Sequence, residues 1–430
     1  MANHLYDALF GIHLGKDTPF LILPDDRVIT HAEFLAKAAQ YAHQITAYGL
    51  VAGDRLAVQI GKSANALAVY AACVQAGVIF LPLNTAYTGA EVEYFIDNSG
   101  AKLVLCDGEK QADMAAICDR LHARLDIMNA DGSGSFDDAA RQHPTEFDTV
   151  DRAPNDLAAF LYTSGTTGRS KGAMLSHENL LSNSQVLVDH WRFGADDVLL
   201  HALPIFHTHG LFVATNVCLL AGCAMRFYAG FDRDLIIRDI PKATSLMGVP
   251  TFYTRLLDDP RHIQFEERTG HRILERYGMT ETNMNTSNPY DGERRAGTVG
   301  HALPGVEIKV CDPETGAELP TGEIGVLEVR GPNVFQGYWQ MPEKTREELR
   351  ENGFFITGDL AYIDDRGYVT IVGRSKDLII SGGYNIYPKE IELILDDQAG
   401  ILESAVVGVP HPDFGETVVA ILVPAQGATP

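Results

Sequence analysis

The sequence has few cysteines, and none of them stands in a Cys-x-x-Cys pair. The six cysteines are Cys73, Cys106, Cys118, Cys218, Cys223 and Cys311. Zinc sites and disulfide frameworks both need cysteines at short or regular spacings. The scattered pattern therefore predicts reduced, buried thiols rather than disulfides or a zinc centre.

Long apolar runs and a secretory leader are absent as well. No run reaches the roughly 18 residues that a membrane-spanning helix needs. Residues 1–8 contain neither a basic stretch nor a long apolar core. We therefore expect a cytoplasmic protein with no membrane partner.

Positive charge is scarce. Lysine and arginine number 34 against 57 acidic residues, which gives a formal net charge of −23. This balance argues against nucleic acid or an anionic membrane as the main partner. An anionic nucleotide could still bind where local lysines, arginines and a metal reverse the field.

The length of 430 residues exceeds one ordinary core, so two or three domains are expected.

Helical and strand patterns alternate between residues 28 and 108. Thr30 is a plausible N-cap for the first helix, and Gly49 closes it. The pattern predicts helices over residues 32–48 and 64–77 and strands over residues 55–60, 78–83 and 102–106. Such alternation implies parallel α/β layers with right-handed crossovers. Further on, Ser176 is a plausible N-cap for a helix that runs to about His190. The sequence also predicts a strand over residues 244–250 and a helix over residues 251–258.

Hydroxyls and glycines crowd into the segment Tyr162-Thr-Ser-Gly-Thr-Thr-Gly-Arg-Ser-Lys-Gly172. It follows an apolar run, residues 157–161, that predicts a buried strand. Glycines let the backbone approach a ligand, and N–H groups, hydroxyls and the Lys171 ammonium together suit a polyphosphate. A Walker A loop is excluded because Ser170, not glycine, precedes Lys171. A surface Ser/Thr/Gly linker has the same composition, but it rarely joins two apolar strands.

Two histidines, His207 and His209, alternate in the segment 198–210. On an extended segment they would share one face. A metal pair is one interpretation, although no further ligand spacing accompanies it. A packing role is the alternative for His209.

The Tyr162–Gly172 segment resembles the phosphate loop of the adenylate-forming superfamily of acyl-CoA synthetases, luciferases and peptide-synthetase adenylation domains. The usual pattern is Tyr-Thr-Ser-Gly-Thr-Thr-Gly-x-Pro-Lys-Gly, and the chain departs from it only at Ser170. The resemblance runs across essentially the whole chain and implies an AMP-forming acyl-CoA synthetase that uses ATP, Mg²⁺ and CoA. It also implies an α/β fold with a large N-terminal ATP- and acyl-binding domain of layered sheets and helices over residues 1–375. A small, mobile C-terminal α+β domain, truncated here, would occupy residues 376–430.

Later motifs extend the resemblance to individual residues. In Tyr277-Gly-Met-Thr-Glu281, Thr280 would bind the α-phosphate and Glu281 would hold Mg²⁺. Asp359 would clamp the ribose with Arg374, although a solvated surface aspartate is the alternative on the motif alone. The resemblance assigns catalytic roles to Lys171, Thr280, Glu281 and His207. It assigns cofactor binding to Thr163, Ser164, Gly165, Thr166, Thr167, Gly168, Lys171, Tyr277, Thr280, Asp359, Arg374, Gly382 and Gly383, the last two in a loop that serves the CoA step.

The chain departs from the family at two places. Relatives have a strand and a Ser/Gly-rich loop before the Tyr277 motif, whereas here residues 260–270 lead almost directly into it. We expect an internal gap there. Either the protein has lost this segment, or the segment is left out of the given sequence and the numbering runs on across it. Relatives also continue to a lysine beyond the position of Pro430, and its loss would weaken the first half-reaction.

Two arginines suggest the acid. On the family map, Arg255 and Arg276 flank the acyl pocket, with His207 and Met279 as further substrate contacts. A guanidinium in such a pocket needs a second carboxylate, which points to a short dicarboxylate. The region resembles malonyl-CoA synthetases. The alternatives are arginines that merely pair with surface acids, another short, medium-chain or aromatic acid, and a nucleotide-binding chain without catalysis.

Overall fold

The computed structural model describes residues 2–163, 169–257, 272–381, 384–412 and 414–425. The helices are α1 (His4–Leu9), α2 (His31–Ala47), α3 (Ala64–Ala76), α4 (Gly89–Ser99), α5 (Gln111–Leu121), α6 (Ser135–Ala140), α7 (His177–Trp191), α8 (Asn216–Ala221), α9 (Arg233–Asp239), α10 (Pro250–Leu257), α11 (Pro342–Glu348) and α12 (Pro388–Asp396). Short 3-10 helices span Gly11–His13, Gly108–Lys110, Ile240–Lys242 and Ser375–Asp377, and a π-helix spans His209–Thr215.

The strands follow the same chain order. They are β1 (Pro19–Ile22), β2 (Val28–Thr30), β3 (Arg55–Gln59), β4 (Ile79–Pro82), β5 (Leu103–Cys106), β6 (Arg124–Ile127), β7 (Leu157–Thr163), β8 (Lys171–Ser176), β9 (Val198–His201), β10 (Ala224–Phe227), β11 (Ser245–Met247), β12 (Arg276–Met279), β13 (Asn283–Ser287), β14 (His301–Ala302), β15 (Glu307–Cys311), β16 (Gly325–Arg330), β17 (Phe355–Ile363), β18 (Val369–Arg374), β19 (Ile379–Ser381), β20 (Tyr384–Ile386), β21 (Ile401–His411) and β22 (Gly415–Pro424).

The chain divides into two compact units. The first comprises Met1–Ile273, Gly278–Met284 and Pro332–Arg346. The second comprises Leu274–Tyr277, Asn285–Gly331 and Glu347–Pro430. The domain boundary that the sequence places between residues 375 and 376 stays a prediction.

The first unit contains a six-stranded sheet of order β6-β5-β3-β4-β7-β8. All neighbours are parallel except β7 and β8, which form an antiparallel hairpin. Buried side chains such as Val104, Phe95 and Phe160 pack on it. The alternation predicted for residues 28–108 is therefore confirmed, and so is the α/β class. The run at residues 157–161 is the buried strand β7, as expected.

Helix starts in this unit follow from local chemistry. The Thr30 side chain caps α2 by accepting a hydrogen bond from the Glu33 N–H, and the Glu33 side chain accepts one from the Thr30 N–H. Ser176 caps α7 in the same reciprocal way with Asn179. Each pair satisfies two N–H groups that the helix leaves open. Both predicted N-caps are confirmed.

A second sheet of the first unit has the order β11-β9-β10-β1-β2. Its strands β9, β10 and β11 are parallel. The strand predicted over residues 244–250 is the shorter β11, and α10 begins at Pro250. Pro250 suits a first helical turn because the missing N–H has no partner there. In open parallel sheets, ligands bind at the carboxyl ends of the strands.

The segment around His207 and His209 is not extended. Residues 202–208 turn rather than extend, and the π-helix begins directly at His209. A Cβ atom at Gly210 would lie 2.1 Å from the Pro204 oxygen, so the turn closes tightly on itself. His207 and His209 therefore do not share one face of a strand.

The second unit is built from antiparallel sheets. One has the order β15-β16-β17-β18, and the other has the order β20-β19-β22-β21. Helix α12 contacts β21, so the C-terminal residues have the α+β character that the resemblance implied. A further three-stranded sheet has the order β12-β13-β14.

Two composition-based expectations can be compared with the structure. All six cysteines are buried free thiols, as predicted. In the described part of the chain, no helix is long and apolar enough to cross a membrane.

Candidate active site

The base of the Tyr162–Gly172 segment is the β7–β8 hairpin, in which Thr163 stands opposite Lys171. Because β7 runs parallel to β4, the hairpin turns at the carboxyl edge of the sheet. The Thr163 hydroxyl oxygen is buried and has no hydrogen-bond partner among the described residues. A buried unpaired hydroxyl is costly, and a bound phosphate would satisfy it. Ser164, Gly165, Thr166, Thr167 and Gly168 lie outside the described residues.

Lys171 is joined to Glu281 through a tyrosine. The Lys171 Nζ donates to the Tyr338 hydroxyl at 3.1 Å and lies 4.3 Å from the centre of its ring. The Tyr338 hydroxyl donates in turn to Glu281 Oε1 at 2.9 Å. Tyr338 and Glu281 are 2% and 5% exposed. We call Lys171, Tyr338 and Glu281 the phosphate-edge cluster.

Backbone pairing along β8 brings Tyr338 to this position. The Met174 N–H donates to the Gly337 carbonyl at 3.0 Å, and the Trp339 N–H donates to the Gly172 carbonyl at 2.8 Å. Gly337 has φ of +115°, a conformation that side chains disfavour. The sequence analysis missed Tyr338 because its neighbours form no chemical motif. The only signal is Gly337, a glycine directly before an aromatic pair.

The Glu281 turn is fixed by close backbone packing. A Cβ atom at Gly278 would lie 2.0 Å from the Asn283 carbonyl oxygen, so glycine is required there. The Phe335 N–H donates to the Glu281 carbonyl at 2.8 Å. Thr280 is half-buried in the same turn. The turn thus holds Glu281 at a set place beside the hairpin.

The donor set at Glu281 suits Mg²⁺ bound together with ATP. No group of three or more His, Cys, Asp or Glu side chains that could hold a metal occurs in the described part of the chain. Mg²⁺ is usually held by one or two carboxylates plus substrate phosphates, rather than by an all-protein cage. Glu281 beside Lys171 fits that mode. The His207–His209 metal interpretation gains no support.

The predicted ribose residues lie together in the second unit. Asp359 on β17 is the register partner of Arg374 on β18, with 3.9 Å between Asp359 Oδ1 and Arg374 Nε. The Tyr277 hydroxyl donates a short hydrogen bond to Asp359. Desolvation raises the pKa of Asp359, against the opposing effects of Tyr277 and Arg374. Asp359 is therefore a half-buried acceptor and not a freely solvated aspartate. Gly382 and Gly383 lie outside the described residues.

The predicted acyl-pocket residues differ in exposure. His207 lies at the surface, yet surrounding protein desolvates the ring and lowers its pKa. The neighbouring Thr208 hydroxyl donates to Asn283 at 2.6 Å, which brings this turn to the Glu281 turn. Arg255 is exposed on α10, whereas Arg276 and Met279 are half-buried on β12. The segment at residues 260–270 lies outside the described residues.

Comparisons with known proteins bear on this arrangement. A family model described as "AMP-binding enzyme" matches residues 13–264 and 259–339. The malonate–CoA ligase of Arabidopsis thaliana is 32% identical over 427 residues, which cover 89% of this chain and 70% of that protein. A feruloyl-CoA synthase of a Streptomyces species is 33% identical over 426 residues, which cover 93% of this chain and 84% of that protein. The crystal structure of ATP-bound MatB from Rhodopseudomonas palustris is 54% identical with a TM-score of 0.96, and the match covers 100% of this chain and 90% of that one.

Proposed function

The chain belongs to the family of AMP-binding enzymes, and we propose that its particular reaction joins malonate to CoA through a malonyl-adenylate. The chain is an adenylate-forming acid–thiol ligase, a class of enzyme that uses ATP, Mg²⁺ and CoA. A relative named malonate–CoA ligase supports the choice of malonate. A relative named for ferulate shows that the family alone does not decide the acid.

The position of Arg276 is the observation that best supports malonate as the acid. It lies on β12 directly before Tyr277 and is half-buried. A guanidinium removed from water favours a carboxylate partner with two parallel acceptor oxygens. Malonate has one carboxylate to activate and a second to bind Arg276. Arg255 is exposed on α10 and gives weaker support.

The first half-reaction needs positioning and charge stabilisation more than a base. A malonate carboxylate oxygen would bond to the α-phosphorus while the bond to the pyrophosphate oxygen breaks. The carboxylate is already a nucleophile, so no proton has to be removed. Lys171 would hold the leaving phosphates, Thr280 the α-phosphate, and Asp359 and Arg374 the ribose. Mg²⁺ held by Glu281 and the phosphates would neutralise the charge on them.

The second half-reaction transfers the acyl group. The CoA thiolate would bond to the malonyl carbonyl carbon, and AMP would leave with its oxygen. The result is malonyl-CoA, AMP and pyrophosphate for each ATP consumed. As part of the same proposal, His207 and Met279 would line the acyl pocket during this step.

Acid-dependent pyrophosphate release tests the proposal. With ATP, Mg²⁺ and CoA present, we expect rapid release with malonate and slow release with acetate, hexanoate or ferulate. Replacing the Arg276 guanidinium (Arg276→Met) should raise the KM for malonate about 100-fold, because a charge-assisted bidentate contact is lost. Arg346→Met, at an exposed position of α11, is the matched control. Equal release with acetate would exclude the malonate assignment.

Two other outcomes define the rival functions. Release with ferulate or hexanoate but not malonate would make the chain a ligase for a larger acid. ATP binding, detected as a thermal shift, without release from any acid would make it a nucleotide-binding protein without turnover.

We also propose that the protein works in a reducing compartment such as the cytoplasm. Burial raises the pKa of the Cys106 thiol to about 12 and that of Cys118 to about 11. Thiols held in the protonated form react slowly with oxidants. Labelling under native and denaturing conditions should show all six thiols free.

A further inference from the structure

A cavity of about 280 Å³ lies in the first unit, where β3, β4, β9 and β10 end. It shares no residue with the phosphate-edge cluster. Most of its wall is apolar and includes Phe80, Leu83, Ile205 and Phe206. Lys62 and Thr85 are the polar side chains on the wall. The wall thus combines a hydrophobic body with a single cationic side chain.

Lys62 has neutral partners only. Its Nζ donates to His201 Nδ1 at 2.9 Å and to the His201 carbonyl at 2.8 Å, and it lies 4.3 Å from the centre of the Phe227 ring. An ammonium group has three donors, so one remains for a ligand. Within the described ranges, no carboxylate forms an ion pair with Lys62. The nearby Asp107 carboxylate instead accepts the Gly61 N–H at 3.1 Å.

His201 does not balance the positive charge of Lys62. It is fully buried, and its Nε2 lies 2.9 Å from the Gly210 carbonyl, which assigns the ring proton to Nε2. Burial, followed by the charge of Lys62, lowers the pKa of His201 well below its ordinary value. The ring is therefore a neutral acceptor for Lys62, and the cation stays uncompensated.

We propose that this cavity binds an anion, a carboxylate or phosphate on a slender apolar body, with the Lys62 ammonium as counter-ion. An uncompensated charge in an apolar wall is unfavourable, and an anion would relieve it. The apolar wall would take the organic part of the ligand. The site is separate from the malonate proposal and does not depend on which acid is activated.

Proton linkage gives this site a distinctive signature. Burial lowers the pKa of Lys62 well below its ordinary value. A bound anion would raise it again, so binding should take up a proton at pH values between the pKa of the free site and that of the occupied site. Two further charged groups near the cavity are Asp107, whose pKa is raised mainly by desolvation, and Lys110, which donates to the Thr85 carbonyl. His201 stays neutral throughout.

Calorimetry on the whole chain tests the site. The probes are hexanoate, hexyl phosphate and uncharged hexanamide, each titrated in two buffers of different ionisation enthalpy. We expect the anions to bind with an uptake of up to about one proton and hexanamide to bind about tenfold more weakly. Lys62→Met should reduce anion affinity about tenfold and abolish the proton uptake. Lys16→Met, at an exposed position of the same unit, should change neither.

A second variant separates the site from a folding defect. Ala130 lies on the exposed rim of the cavity, and Ala130→Trp should block entry while leaving Lys62 in place. Anion binding that survives in both Lys62→Met and Ala130→Trp, or that is absent in the wild type, would overturn the proposal. If CoA competes with the anions, the co-substrate supplies the anionic group. If CoA does not compete, the ligand is a separate small molecule. Malonate-dependent pyrophosphate release, measured in parallel, reports on the acyl site alone.

Discussion

The Tyr338 hydroxyl donates to Glu281 Oε1 at 2.9 Å while it accepts a hydrogen bond from Lys171 Nζ at 3.1 Å. One buried hydroxyl therefore stands between the proposed phosphate-binding cation and the proposed metal-binding carboxylate. By holding Glu281 Oε1, Tyr338 orients the carboxylate. We treat Tyr338 as a positioning residue, since nothing places it against substrate.

Tyr338→Phe should weaken MgATP binding by about tenfold, because a hydrogen bond to a charged carboxylate is lost. Calorimetry without acid or CoA measures this directly, and the deficit should shrink as the Mg²⁺ concentration rises. Tyr228→Phe is the matched control, since Tyr228 donates to Asp239 at 2.9 Å away from the cluster. Equal MgATP affinity in both variants would show that Tyr338 does not position Glu281.

Tyr338 also shows what the sequence could and could not predict. Thr30, Ser176 and the strand–helix alternation were readable because capping and periodicity are local. The Tyr338 position depends on backbone pairing between residues 336–339 and β8, which joins segments far apart in the chain. The shared face considered for His207 and His209 does not form, because the close approach of Gly210 to Pro204 closes a turn where an extended segment would have been needed.

Asp359 should give an unusual pH dependence of stability. Desolvation raises its pKa, so the folded state loses stability as the pH rises from the ordinary carboxyl pKa to the raised one, and the loss is complete above the raised pKa. Asp359→Asn keeps an acceptor for Tyr277 and should raise the Tm at neutral pH. The gain should disappear as the pH falls below the ordinary carboxyl pKa, where the group is protonated in both states. ATP affinity should fall about tenfold, since a charged acceptor for the ribose is lost.

Asp364 provides the control of opposite sign. Desolvation acts to raise its pKa, but hydrogen bonds from the Tyr368 and Arg366 N–H groups and from Arg295 lower it overall. Asp364→Asn should therefore lower the Tm at neutral pH, and the loss should vanish at acid pH. Differential scanning calorimetry of both variants from pH 3 to 8 would contradict the assignment if the two changes had the same sign.

Gly278 should tolerate no side chain. Its Cβ would lie 2.0 Å from the Asn283 carbonyl oxygen, a backbone atom that cannot move aside easily. Gly278→Ala should lower the free energy of unfolding by about 3 kcal/mol and displace Glu281. Gly49→Ala is the comparison, because Gly49 has φ of +85° with open space around it and should lose only about 1–2 kcal/mol. Denaturant unfolding with MgATP titration separates the two effects.

Lys171 should act in only one half-reaction. Its position on β8, opposite Thr163 at the base of the phosphate loop, suits contact with the leaving phosphates. Lys171→Met should slow malonate-dependent pyrophosphate release about 100-fold, as expected when a preorganised donor to developing charge is removed. The thioester step involves no pyrophosphate, so AMP-dependent CoA release from malonyl-CoA should stay within about threefold of wild type by the same reasoning. Equal losses in both assays would mean that Lys171 supports the fold of the hairpin rather than the departing phosphates.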